Sequence, residues 1–387
     1  MKKLISSILT LAMVAGCLAG CAGKPQETAS ATMAVTEAPA KEAPDKTETA
    51  QAETSDQAET SAQEASGDKK VKVGFVISAL NEPIMNAYND YVKKAMEEQA
   101  AKAGYKLEYV SVSSDGDVNR EYSNVQDMIG SGCDVIILNA IDNVASLAAV
   151  KECHANDVGS IFFCREADSS ASEDEIPDAT VNMDSYDQGY ASTIRMFEYM
   201  KDDGIEPKDM IVVMGYENDV NAINRQKGTE DACKEWNVEI ATTVSCGQWD
   251  PATCLTNLTS ALQTYPDSNC LYVPSDSQYS GYSTALQRAG KWHKRGEEGH
   301  VYIAGTDVFA DGFVAIATGY QESSTENPVW LNAVKAAECV IDYMEGKDLN
   351  GEIFKIQGDT VDQDNYNKID YLWCLEYSDS DLSQYLK

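Results

Sequence analysis

The chain has 387 residues, with 30 Lys and Arg against 63 Asp and Glu, for a formal net charge of −33. A polyanion would be repelled by such a surface, so nucleic acid is excluded as a partner, and phospholipid headgroups are unattractive on the same ground. Eleven cysteines make no paired zinc-type spacing, and only His154, His293 and His300 accompany them, so no metal site and no cofactor is expected.

In chain order, Lys2 and Lys3 precede an apolar run, Leu4 to Ala19, that is short for a membrane span. It ends in Leu18-Ala19-Gly20-Cys21, which resembles a bacterial lipoprotein signal. Residues 1–20 would then be removed and Cys21 lipidated. Cys17, after Val14-Ala15-Gly16, is the second choice, and a plain secretory signal is the alternative. Either way the chain is exported, and a lipid on Cys21 would hold it to the outer face of the cytoplasmic membrane. Residues 21–68 are Ala, Thr, Glu, Ser, Gln and Pro with few large apolar side chains. Such a segment cannot offset its ordering entropy and is expected to be a disordered acidic tether, spanning roughly 35–40 Å as a flexible coil.

Folded structure is expected from Lys69. Val71–Ile77 has a strand pattern, and Asn81-Glu82-Pro83 opens a helix that Gly104 ends. Further strands are predicted at Leu107–Val112, Val135–Leu138 and Ser160–Phe163, then near Met210–Met214, Val238–Val244, Cys270–Val273 and Val301–Ala304. Strand starts recur about every 30 residues, the period of a βαβ unit. Near-continuous apolar strands imply parallel sheets covered on both faces. The region Asp178–Gly204 interrupts the series, which favours an α/β fold of two similar doubly wound lobes; a TIM barrel with the same strand count is the alternative. The nine cysteines past the signal are odd in number and read mostly as reduced core thiols, with Cys246 and Cys254 the pair to test for a bridge.

Six segments just beyond predicted strand ends carry a resemblance. They are Val76–Pro83, Ile137–Asp142, Phe162–Arg165, Asn224–Gly228, Gln248–Ala252 and Ala304–Asp307. In this order they resemble the sugar-binding type I periplasmic-binding proteins, the ribose- and galactose-binding components of ABC importers. The resemblance covers about residues 69–357 and implies two lobes joined by a three-segment hinge, with crossovers near Met183, Asn327 and Gly358. It implies an N-terminal lobe of 69–183 plus 328–357 and a C-terminal lobe of 184–327 plus 358–387. It also implies a monomer that takes up a sugar, most simply a monosaccharide, and passes it to an ABC permease.

The chemistry of those positions agrees. A sugar needs groups that accept and donate hydrogen bonds, with an aromatic surface for its C–H face. Glu82 and Asp307 would accept from hydroxyls, Arg165 and Arg225 would donate, and Trp249 would stack. Asn139, Asn221, Ser275, Asp276 and Asn327 are further candidates. Trp249→Ala or Arg225→Ala is expected to abolish a ligand response while leaving the unliganded protein nearly as stable. Cys164 replaces the family's usual Asp or Asn, and Ile84 and Met85 stand where phenylalanine is common. Two other functions remain open: a sensory or chemotaxis receptor for a sugar-like signal, and an extracellular glycosidase using Asp307 and Glu82, although the reading favours a protein that is not an enzyme.

Overall fold

The computed structural model describes residues 69–369 and 371–386. Cys21, the apolar segment before it and the expected tether lie outside the described residues. The first strand, β1 (Lys70–Ile77), leads into α1 (Pro83–Ala103). Proline suits the first turn, where a backbone donor has no partner, and the helix ends where the Gly104 N–H reaches the Ala100 and Ala101 carbonyls. Then come β2 (Lys106–Ser113), α2 (Val118–Gly130), β3 (Val135–Leu138), α3 (Leu147–Ala155), β4 (Gly159–Phe163) and β5 (Ala179–Met183). The same alternation follows with α4 (Ser185–Asp202), β6 (Asp209–Met214), α5 (Val220–Trp236), β7 (Glu239–Ser245) and α6 (Pro251–Thr264). It continues through β8 (Cys270–Tyr272), α7 (Tyr279–Arg288), β9 (Tyr302–Asp307), α8 (Ala310–Thr318) and β10 (Ser323–Glu326). Last are α9 (Val329–Met344), β11 (Glu352–Ile356) and β12 (Thr360–Asp362).

The strands form two six-stranded sheets, ordered β11-β5-β4-β3-β1-β2 and β12-β10-β9-β8-β6-β7. All pairings are parallel except β12 on β10. Two separate sheets with the same winding rule out the barrel alternative. The fold is therefore a pair of doubly wound α/β lobes, and the chain passes between them after Met183, after Glu326 and between Ile356 and Thr360. The interruption expected at Asp178–Gly204 is in fact occupied by β5, which pairs with β4 and β11. Its polar Thr180 and Asn182 broke the apolar pattern.

Burial follows position in the sheet. The inner strands β3, β4 and β5 are buried along their whole length, whereas the outer β2 and β7 are largely half-exposed. One core joins β1 and β3 to α1 and α9, and another packs α2 and α3 on the opposite face. The second lobe repeats this with α6 and α7 on one face and α4 and α5 on the other. The segment after β12 is not a loose end. Leu372, Trp373, Cys374 and Leu382 are buried in the α1–α9 core together with Val308 and Phe313 of the second lobe. All nine described cysteines are free and buried, so Cys246 and Cys254 are not bridged.

Candidate functional site

The carboxyl ends of both sheets face a common gap, where open α/β sheets place their ligands. A cavity of about 120 Å³ fills it. The first lobe contributes Glu82 and Arg165, the second Asn221, Arg225, Trp249, Ser275 and Asp307, and Asn327 comes from the crossing after β10.

Arg225 is seated by helix packing. The α4–α5 contact is so close that a Cβ on Gly189 would strike the Arg225 carbonyl, and one on Gly228 would strike the Tyr186 carbonyl. Glycine at 189 and 228 thus brings the helices together and turns the Arg225 side chain toward the gap. Its guanidinium is then almost fully committed. Nε donates to Gln188 Oε1 at 2.9 Å, Nη1 to the Pro274 carbonyl at 2.8 Å and to Asp307 Oδ2 at 3.2 Å, and Nη2 to Asp307 Oδ1 at 2.5 Å. The pair is buried, with side chains 4% and 7% exposed. The Arg225 Cζ also lies 6.0 Å from the Trp249 ring centre, at the outer limit of a cation–π contact. Trp249 is held from behind by Gly215, where any Cβ would collide with the indole.

Backbone strain gathers at the same rim. Eight described non-glycine residues have positive φ, and four of them are Cys164, Trp249, Asp307 and Val308. For a β-branched valine at 54° this is costly, and such strain persists where surrounding contacts over-determine the geometry. Here one contact is visible: the Trp373 Nε1–H donates to the Asp307 carbonyl at 2.9 Å.

The two lobes touch beside the cavity. Arg165 Nη2 lies 3.4 Å from Asp219 Oδ2 across the gap. Asn221 Oδ1 accepts from Asn182 Nδ2 at 2.7 Å and Ser185 Oγ at 2.9 Å, while its Nδ2 donates to the Cys164 carbonyl at 3.2 Å. The arrangement is a closed one.

Glu82 is different. Its carboxyl borders the cavity without capping its own helix, and burial, then the charge of Asp307, push its pKa above the usual carboxylate range against the pull of Arg165. With three carboxylates (Glu82, Asp219, Asp307) and two guanidiniums, the lining is acidic by one charge. That favours a neutral guest over an anionic one.

Two expected residues do not line the cavity. Asn139 is buried, accepting from Ser78 Oγ at 2.7 Å and donating to the Phe163 carbonyl at 2.9 Å, so both ends of its amide are engaged in the first lobe. Asp276 accepts from Gln321 Nε2 at 3.0 Å and Ser324 Oγ at 2.6 Å, seated where Gly305 and Gly312 have no side chain. Ile84 and Met85, which stand where the family has phenylalanine, do line the cavity, and Tyr88, Asp219 and Phe309 line it without having been anticipated. Tyr88 had a signal: positions 82, 85 and 88 share one helix face. It binds Asn327, whose Nδ2 donates to the Tyr88 hydroxyl at 2.7 Å.

Two hinged parallel-sheet lobes closing on a polar cavity define a solute-binding fold. The sequence places the chain within it: residues 73–348 match the periplasmic binding protein domain family, to which the chain belongs. A ribose import binding protein of Bacillus subtilis is 23% identical over 73% of this chain and 85% of its own length. A D-apiose import binding protein of Paraburkholderia graminis is 27% identical over 60% and 69% respectively. Among solved structures, an ABC transporter solute-binding protein of Actinobacillus succinogenes with bound D-allose superposes with a TM-score of 0.64 at 18% identity, covering 77% of this chain and all of that one.

Proposed function

We propose that the protein is an extracytoplasmic receptor that captures a sugar between its lobes and delivers it, unchanged, to the permease of an ABC importer. The observation that carries this reading is the closed cavity, in which Trp249 stands beside the Arg225–Asp307 pair from one lobe while Glu82 and Arg165 face it from the other. A sugar there finds acceptors and donors for its hydroxyls and an indole for its C–H face. A site built for hydroxyls also rejects analogues that lack them, because its buried polar groups would go unpaired. Contacts from both lobes favour the closed state, so capture is a hinge motion and needs no covalent step. The relatives whose names specify ribose and apiose import support the same reading. Glu82, Arg165, Asn221, Arg225, Trp249, Ser275, Asp307 and Asn327 are the residues assigned to the sugar, with Asn139 and Asp276 supporting them from behind. The receptor acts as a monomer held to the membrane by a lipid on Cys21.

A thermal-shift panel of pentoses, hexoses and polyols on the intact chain tests the proposal. At one hundred times its dissociation constant, a true ligand adds about 2.7 kcal/mol of stability. A panel in which no sugar raises the melting midpoint would refute it.

A further inference from the structure

A second chamber adjoins the cavity. It is a half-open pocket of about 420 Å³ and shares Glu82, Ser277 and Phe309 with the first as a common wall. Glu82 belongs to the first lobe, Ser277 and Phe309 to the second, so the dividing wall falls on the gap between lobes. Among the described residues the Glu82 carboxyl has no hydrogen-bond partner to bar the passage.

The outer wall of this chamber is the C-terminal segment, which lies past residue 348, where the family match ends. That segment is fixed on both lobes. Trp373 is bonded to the Asp307 carbonyl and meets Phe309 edge-on, with ring centres 4.8 Å apart. Tyr377 donates to Asp90 Oδ2 at 3.1 Å and packs edge-on against Tyr91 at 5.4 Å, both on α1. A wall already held in place loses little freedom when something binds to it. Tyr279 of α7 supplies a further ring. The charged residues of the lining, Asp311 and Asp379 among them, are all acidic.

We propose that this chamber is a second subsite, and that the preferred ligand is a neutral disaccharide: one ring in the inner cavity, with its glycosidic bond passing between Glu82 and Phe309 and the second ring in the outer chamber. Tyr279 and Tyr377 offer aromatic surface to that second ring, as Trp249 does to the first. The acidic lining turns away uronates and sugar phosphates. The assignment rests on the sugar-receptor reading and adds to it.

The test is isothermal titration of the intact chain with D-galactose, D-glucose and D-xylose beside lactose, melibiose, cellobiose and xylobiose. One disaccharide should bind at least roughly tenfold more tightly than its component monosaccharides. Tyr377→Ala should erase that advantage and leave the monosaccharide dissociation constant within about twofold, since Tyr377 does not line the inner cavity. Ser280→Trp, an exposed position on α7, should do the same by filling the chamber while leaving the residues of the C-terminal segment unchanged. If monosaccharides bind and no disaccharide binds more tightly, or if the advantage survives both variants, the subsite assignment is overturned and the receptor reading stands. If neither class binds, both are overturned.

Discussion

Replacing Arg225 by methionine removes a guanidinium that makes four buried hydrogen bonds, two of them to Asp307. The Asp307 carboxylate, 7% exposed, is left without its cationic partner, and Gln188 Oε1 loses its donor. Breaking one side of a buried ion pair costs about 3–5 kcal/mol, because the remaining charge stays desolvated and unpaired. At about 2–4 °C per kcal/mol for a chain somewhat smaller than this one, the unliganded melting midpoint should fall by roughly 5–15 °C. The sequence-based expectation was the opposite, that Arg225 can be truncated at little cost to the unliganded protein. Differential scanning fluorimetry at pH 7, with urea titration for the free energy, measures it. Arg225→Met/Asp307→Leu should recover at least half of the loss, since two apolar side chains leave no orphaned charge. A single variant melting within about 2 °C of the parent would show that the pair is solvated and contributes little to the folded state.

Gly215→Ala should displace the Trp249 indole, which an added Cβ would strike, and weaken sugar binding by roughly tenfold or more with a smaller loss of stability; unchanged affinity would remove Trp249 from the site. Burial pushes the carboxyls of Asp276 and Glu121 up to about 7 and that of Glu326 up to about 8. The folded chain therefore holds more protons than the unfolded one from about pH 4 upward, and these three groups' contribution falls as pH rises through 7 and 8. The melting midpoint at constant ionic strength should drop between pH 5.5 and 8.5, and a rise would contradict it. Cys21→Ser should move the protein from the membrane fraction to the soluble exported fraction, which cell fractionation reads directly. The buried thiols of Cys246 and Cys254, pushed up to about 11 and about 12, should react with a thiol reagent only after unfolding.

Much of this architecture was legible because parallel strands buried on both faces are runs of apolar residues. Val135–Leu138 coincides with its expected bounds, and α1 runs from Pro83 to the residue before Gly104, as its proline and glycine signal. The strands that went unread, β5, β10, β11 and β12, carry polar residues: Asn182 serves the lobe junction, and Ser323-Ser324-Thr325-Glu326 carries the hydroxyls that hold Asp276 and the crossing chain. Function had overwritten the hydrophobic pattern there. For the site, residues on the loops past strand ends were findable from position alone. Which way each points was not. Asn139 and Asp276 sit at such ends, yet their amide and carboxylate turn inward to satisfy buried donors and acceptors, a choice that depends on partners distant in sequence such as Phe163 and Gln321.

The junction at Asn221 has a consequence for transport economy. Its bonds to Asn182 and the Cys164 carbonyl are made between protein groups and join the two halves directly. In a receptor of the proposed kind, attraction between the halves themselves raises the share of time spent in the shape its membrane partner takes for a delivery, and the transporter then idles. Strengthening that junction raises apparent affinity, because less of the closing work falls to the guest, and raises the idling rate by the same population shift. Two side-chain bonds therefore set a compromise between scavenging at low concentration and wasted turnover.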